Sequence, residues 1–123
     1  MKHFLKTASA AAVLLASFSA SAADIKPSVV FDMGGKFDKS FNEGVYNGVE
    51  KFKKETGIKY REFEVTNEAQ REQAIRRMAK RGSDIVLGIG FAQSDAVKKV
   101  AGEYPNGQFA IIDGFVIAPN VNA

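Results

Sequence analysis

Short apolar runs alternate with stretches of helical period along this chain, and that alternation limits the fold more than any other feature. Residues 28–33 form a β-branched and aromatic run after Pro27, and Asp84-Ile85-Val86-Leu87-Gly88-Ile89-Gly90 forms another that ends in glycines, as a central parallel strand does. Residues 108–112 make a further run, closed by Asp113-Gly114. Residues 59–65 alternate instead, with Tyr60 and Phe63 among charged side chains, and suit a strand nearer the sheet edge. Between the runs, Phe41, Val45, Gly48, Val49 and Phe52 share one helical stripe, Ala69, Ala74, Ile75, Met78 and Ala79 a second, and Ala96, Val97, Val100 and Ala101 a third. Ser40 and Glu43 have capping-box spacing at the first helix start, and Gly57 fits its stop. The second helix is expected to start at Asn67, with Gln70 three residues on, and to end at Gly82; the third stops before Pro105. The order βαβαβαβ predicts an α/β fold, a parallel sheet with helices on both faces and right-handed crossovers.

In open sheets of this kind ligands bind beyond the carboxyl ends of the strands, where loops carry function. The tips of the first, third and fourth strands converge on one rim, so Asp32, the Gly90-Phe91 turn and Asp113 are expected there. The first strand ends in Asp32, Gly34 and Gly35 follow, and a helix opens with Phe41 and Asn42 beside its free N–H groups. Asp32, Phe41, Asn42, Phe91 and Asp113 are the candidate ligand-binding residues. Each has a plainer structural reading. Asp32 can form a turn, Phe41 can begin the core stripe, Asn42 can face water, Asp113 can make a turn with Gly114, and Phe91 can cover the sheet end. Asp38 and Ser40 read as loop and cap residues, with Ser40 partnered by Glu43.

Composition narrows the function classes. A chain of 123 residues with 46% hydrophobic and 25% charged content holds one small domain at most. Met1-Lys2-His3-Phe4-Leu5-Lys6 is a basic start, residues 8–18 are apolar and small, and Ala20-Ser21-Ala22 fits a signal-peptidase site. The apolar piece is shorter than the roughly 20 residues a spanning helix needs, so residues 1–22 read as a cleaved signal peptide and 23–123 as an exported, soluble domain. Without Lys2 and Lys6 the basic count falls from 17 to 15 against 14 acids, which is no basis for nucleic-acid binding; Arg76, Arg77, Lys80 and Arg81 read as a solvated helix face. With no cysteine there is no disulfide framework, no thiol nucleophile and no lipid-bearing cysteine.

The run Asp32-Met33-Gly34-Gly35-Lys36-Phe37-Asp38-Lys39-Ser40-Phe41-Asn42, with Gly82-Ser83-Asp84-Ile85-Val86, Gly88-Ile89-Gly90-Phe91 and Ile111-Ile112-Asp113-Gly114, resembles the basic membrane protein family of ABC-transporter solute-binding proteins, and its purine-nucleoside receptors in particular. The resemblance covers essentially all of 23–123. It implies a lobe of the periplasmic-binding-protein type I kind, in a two-lobed receptor that closes around a nucleoside and delivers it to an ABC permease in the inner membrane. It also implies that Phe41 stacks on the nucleobase, that Asp32 and Asn42 hydrogen-bond its edge, and that Asp113 holds ribose hydroxyls. An aromatic face suits any base, and a carboxylate and an amide read donors and acceptors. The chain is expected to supply the first lobe incompletely, since residues 115–123 show no closing helix and the second lobe is absent. Many members are lipoproteins, whereas this sequence has no anchoring cysteine and reads as a free periplasmic monomer without cofactor or metal.

Enzymes fit less well. Gly34-Gly35-Lys36-Phe37-Asp38-Lys39-Ser40 has phosphate-loop composition, but Asp38 stands before Lys39-Ser40 where a glycine is required, and no G-x-G-x-x-G occurs. A nucleoside hydrolase also places acids after its first strand, but holds calcium with a clustered aspartate pair, and here five residues separate Asp32 from Asp38. His3 lies in the leader, so the domain has no histidine or cysteine for acid–base or nucleophilic work. A sugar-binding relative, a hydrolase and a truncated product without function stand as the alternatives.

Overall fold

The computed structural model describes residues 25–123; the expected signal peptide, 1–22, lies outside the described residues. Five parallel strands and three helices follow one another as β1 (Pro27–Phe31), α1 (Phe41–Thr56), β2 (Arg61–Glu64), α2 (Gln70–Lys80), β3 (Ile85–Ile89), α3 (Ser94–Glu103), β4 (Phe109–Ile112) and β5 (Val121–Asn122), with a 3-10 turn over Phe91–Gln93 leading into α3. The sheet order is β2-β1-β3-β4-β5. The registers Val30↔Phe63, Val29↔Leu87, Ile89↔Ile112 and Phe109↔Val121 are all parallel. The alternating segment is the edge strand and the glycine-ended run is central, as the sequence predicts.

Period-two alternation divides the core between the two faces. Val30, Val86, Phe109 and Ile111 point to one side, where Ala74, Ile75, Met78, Val97, Val100 and Ala101 of α2 and α3 cover them. Val29, Phe31 and Ile89 point to the other, against Val45, Tyr46 and Val49 of α1. β1 is buried on both faces, so Val29, Val30 and Phe31 are fully enclosed, each contributing about 1.5–3 kcal/mol by leaving water. The chain steps from β1 outward to β2, then back across to β3, and α1 and α2 thus lie on opposite faces. That reversal beside β1 is a topological switch point, where an open sheet leaves a crevice at the strand tips.

Four expectations need correction. Phe41 and Gly48 are exposed and leave Val45, Val49 and Phe52 as the half-buried stripe of α1; Ala69 is exposed and sits outside α2, which begins at Gln70. The reason is a turn at 67–71, in which Gln70 N–H bonds to the Asn67 carbonyl and Arg71 N–H to that of Glu68, so the helical pattern begins one turn late. Ser40 makes no side-chain cap bond. Residues 115–123 supply a short fifth strand, so the order is βαβαβαββ. Asn120 anchors it: buried, its amide Nδ2 donates to the Ala101, Tyr104 and Gly107 carbonyls, closing the otherwise open end of α3.

Candidate functional site

The loop from β1 to α1 owes its shape to glycines and one carboxylate. Gly34 and Gly35 take φ +102° and +74°, a region where side chains are strained, and the Gly35 N–H closes a turn onto the Asp32 carbonyl at 3.2 Å. Asp38 replaces Ser40 as the cap: its Oδ1 accepts from the Ser40 N–H at 2.8 Å and the Glu43 N–H at 3.0 Å, while Glu43 reaches back to the Lys39 N–H at 2.8 Å. The capping-box logic holds, with the acceptor displaced two residues upstream. Partial desolvation pushes the Asp38 carboxyl up, but the N–H donors of Glu43, Ser40 and Asn42 outweigh it and hold it below the ordinary carboxylate value.

Asn42 is the one buried residue of α1. Its Oδ1 accepts from the Asp32 N–H at 3.0 Å, and its Nδ2 donates to the Asp32 carbonyl at 3.3 Å and to Asp38 Oδ2 at 3.0 Å. Both amide N–H groups are therefore engaged within the protein, and the side chain clamps the first helical turn to the end of β1. Phe41, beside it, is 56% exposed. With Ser40, Gly44, Val45 and Ile112 it lines an open groove of about 430 Å³ that runs toward the tip of β4.

Asp32 stands at the crevice itself. Arg71, from the first turn of α2, donates from Nε to its Oδ1 at 2.8 Å and from Nη2 to its Oδ2 at 3.3 Å, with both side chains about 15% exposed. This pairing raises the Arg71 guanidinium above its ordinary value, against the opposing effect of burial. Next along the rim, Gly90 has φ +95°, and a Cβ there would stand 3.6 Å from Asp32 Oδ2, so the β3 tip comes close to the carboxylate. Gln93 fixes that tip from below: fully buried, it donates from Nε2 to the Val30 carbonyl at 3.0 Å. Phe91 is left 73% exposed above it. Asp113 is exposed and takes φ +58°, a left-handed conformation that aspartate tolerates better than most residues. Phe115, 67% exposed, follows it.

The tips of β1, β3 and β4 are neighbours, so Asp32, Phe91 and Asp113 share one edge of the sheet and Phe41 flanks it, while Asn42 lies beneath. The sequence assigns Arg71, Gln93 and Phe115 no ligand or support role, and Asp38, read there as a loop or cap residue, is the cap acceptor. Arg71 did leave a signal, because a cation in a helix's first turn opposes the macrodipole and needs a partner. Among the described residues no group of three or more acidic, histidine or cysteine side chains is placed to hold a metal ion, and no helix is long and apolar enough to cross a membrane.

Comparison with known proteins gives one consistent answer. The family model described as "ABC transporter substrate-binding protein PnrA-like" (Bmp) matches residues 25–123. An uncharacterised lipoprotein of Pyrococcus horikoshii is 34% identical over 72% of this chain and 22% of its own length. Basic membrane protein A of Borreliella burgdorferi is 36% identical over 71% and 26%, and the ABC transporter nucleoside-binding protein BmpA of Lactococcus lactis 28% identical over 76% and 28%. The chain thus spans about a quarter of the length of these curated relatives. Among solved structures, an ABC transporter solute-binding protein of Aeropyrum pernix superposes with a TM-score of 0.72 at 29% identity, over 79% of this chain and 27% of that one. One from Conexibacter woesei gives 0.68 at 28%, over 79% and 33%.

Proposed function

The chain belongs to the Bmp family of ABC transporter substrate-binding proteins, and from that membership we propose that residues 25–123 form one wall of a cleft that binds a nucleoside for an ABC importer. The observation that carries this reading is the convergence at the switch point: Asp32, Phe91 and Asp113 just past the adjoining tips of β1, β3 and β4, with the exposed Phe41 flanking them from the start of α1. An exposed phenylalanine at the mouth of an open groove is an apolar face that water solvates poorly, and it suits stacking on a planar base. In the proposal Phe41 stacks on the base, Asp32 accepts from its edge, Asp113 accepts from ribose hydroxyls, and Phe91 walls the site. Asn42 enters it as the clamp that sets Asp32 and Phe41 relative to each other.

The function is binding, completed when a second lobe closes over the ligand by a hinge motion. No bond is made or broken. The protein works outside the inner membrane, after removal of residues 1–22, as a monomer that hands its ligand to a permease. The Lactococcus relative is named for nucleoside binding, which favours this reading over a sugar. Saturation-transfer NMR of the chain with adenosine, inosine, ribose and glucose tests it. Strong transfer to the base protons and none to glucose is expected. Equal transfer to glucose would replace the nucleoside with a sugar, and release of free base would make the protein a hydrolase.

A further inference from the structure

Arg71 carries chemistry at this rim beyond holding Asp32. A guanidinium presents five N–H donors in a fixed plane, and two of them are spent on the Asp32 carboxylate. The other three have no acceptor among the described residues, although the side chain is only 14% exposed. Asp32 is held on its other atoms as well, its N–H by Asn42 and its carbonyl by Asn42 and Gly35. The Asp32 backbone is thus anchored, and the two-point bond from Arg71 aligns the two charged groups. The glycine at position 90 leaves Asp32 Oδ2 without a side chain over it on the β3 side.

An ionised carboxylate only accepts hydrogen bonds and a guanidinium only donates them. Fixed side by side, Asp32 and Arg71 offer an acceptor next to donors, and their complement is a ligand edge with an N–H beside an acceptor. The lactam edge of an oxopurine has this pattern, and so does the amidine edge of an aminopurine. We propose that Arg71 contacts the ligand and, paired with Asp32, reads the hydrogen-bonding edge of the base; this rests on the nucleoside reading above. The paired charges cancel locally, so selection at this point falls on the donor–acceptor pattern and not on ligand charge. Lysine does not substitute, because one ammonium cannot hold both carboxylate oxygens and keep an aimed donor free.

The test uses the 123-residue chain, labelled with ¹⁵N, and two ligands: inosine, and purine riboside, which keeps the ring and ribose but lacks the lactam edge. Inosine is expected to bind about tenfold more tightly, the factor for one hydrogen bond to a charged group, and to shift the Arg71 Nε–H resonance while purine riboside leaves it in place. In Arg71→Gln the preference for inosine should fall without vanishing, because Asp32 still accepts from the lactam N–H, with both ligands still shifting the Asp113 amide. An unchanged preference in Arg71→Gln, or an Arg71 Nε–H signal that inosine does not move in the unsubstituted chain, overturns the proposal and leaves the nucleoside reading standing. Rim amides that neither ligand shifts overturn both.

Discussion

Replacing Asn42 by alanine tests whether this residue clamps the site from within. The substitution removes one acceptor and two donors from a side chain that is 4% exposed. The Asp32 carbonyl keeps its bond from the Gly35 N–H, so its loss is small. The Asp32 N–H has no such substitute, and a buried donor left without a partner costs about 1–3 kcal/mol. Adding a modest share for the bond to Asp38, discounted because that carboxylate reaches solvent, gives about 2–3 kcal/mol for Asn42→Ala. A domain of this size has a total stability of about 5–15 kcal/mol, so the change is readily measured as a lower midpoint in urea at unchanged slope. Asn42→Asp sharpens the test. It keeps an acceptor for the Asp32 N–H but sets a second carboxylate against Asp38 Oδ2, so at neutral pH it should cost at least as much as alanine and recover as the pH falls toward 4. If Asn42→Ala stays within about 0.5 kcal/mol of the parent, the ordinary range for surface changes, the residue is not a clamp.

Phe41→Ala should leave the urea midpoint nearly unchanged, since the ring is 56% exposed, while weakening nucleoside binding by about 1–3 kcal/mol as a lost stacking contact does; calorimetry with unchanged affinity removes it from the site. Asp113→Ala should weaken nucleosides more than free bases, and equal losses for both remove its ribose role. Gly88→Ala places a Cβ 2.8 Å from Val97 Cγ2 and 3.1 Å from Gln93 Oε1, inside the packed face, and is expected to cost about 1–3 kcal/mol of stability; a midpoint shift near zero would mean that α3 can move away. Desolvation and the hydrogen bond to Glu50 raise the Tyr60 hydroxyl above its ordinary value of 10.0. Its folded value is the higher one, so its contribution is complete below pH 10 and is lost as the pH rises beyond that; Tyr60→Phe should flatten stability against pH in this alkaline window.

The fold was legible because two periods alternate so plainly. Val29, Val30 and Phe31 could only be a strand buried on both faces, and Ala74, Ile75 and Met78 could only face a core, so element order and parallel pairing followed. Helix starts were less so. The sequence offers Ser40 and Glu43 at cap spacing, yet the acceptor is Asp38, because the αL conformation of Lys39, φ +56°, turns the chain so that Asp38 meets the free N–H groups first. The fifth strand is not legible in the sequence because its two residues have no period, and it is held by Asn120, whose three carbonyl partners are distant in sequence. At the rim, Asp32, Phe91 and Asp113 were legible as strand tips. Arg71 lies 39 residues from Asp32, and only the crossover through β2 and α2 brings them together.

Photolabelling with 8-azidoadenosine tests the central claim most directly, because a covalent label records where a weakly held nucleoside sits. The chain is irradiated with the probe, digested with trypsin and mapped by mass spectrometry. Label is expected on the 40–51 peptide, which carries Phe41, and on the peptide holding Phe91 or Asp113, and excess inosine should remove it. Label that inosine does not displace, or that falls on the outer surfaces of α2 and α3, would contradict a nucleoside site at the strand tips.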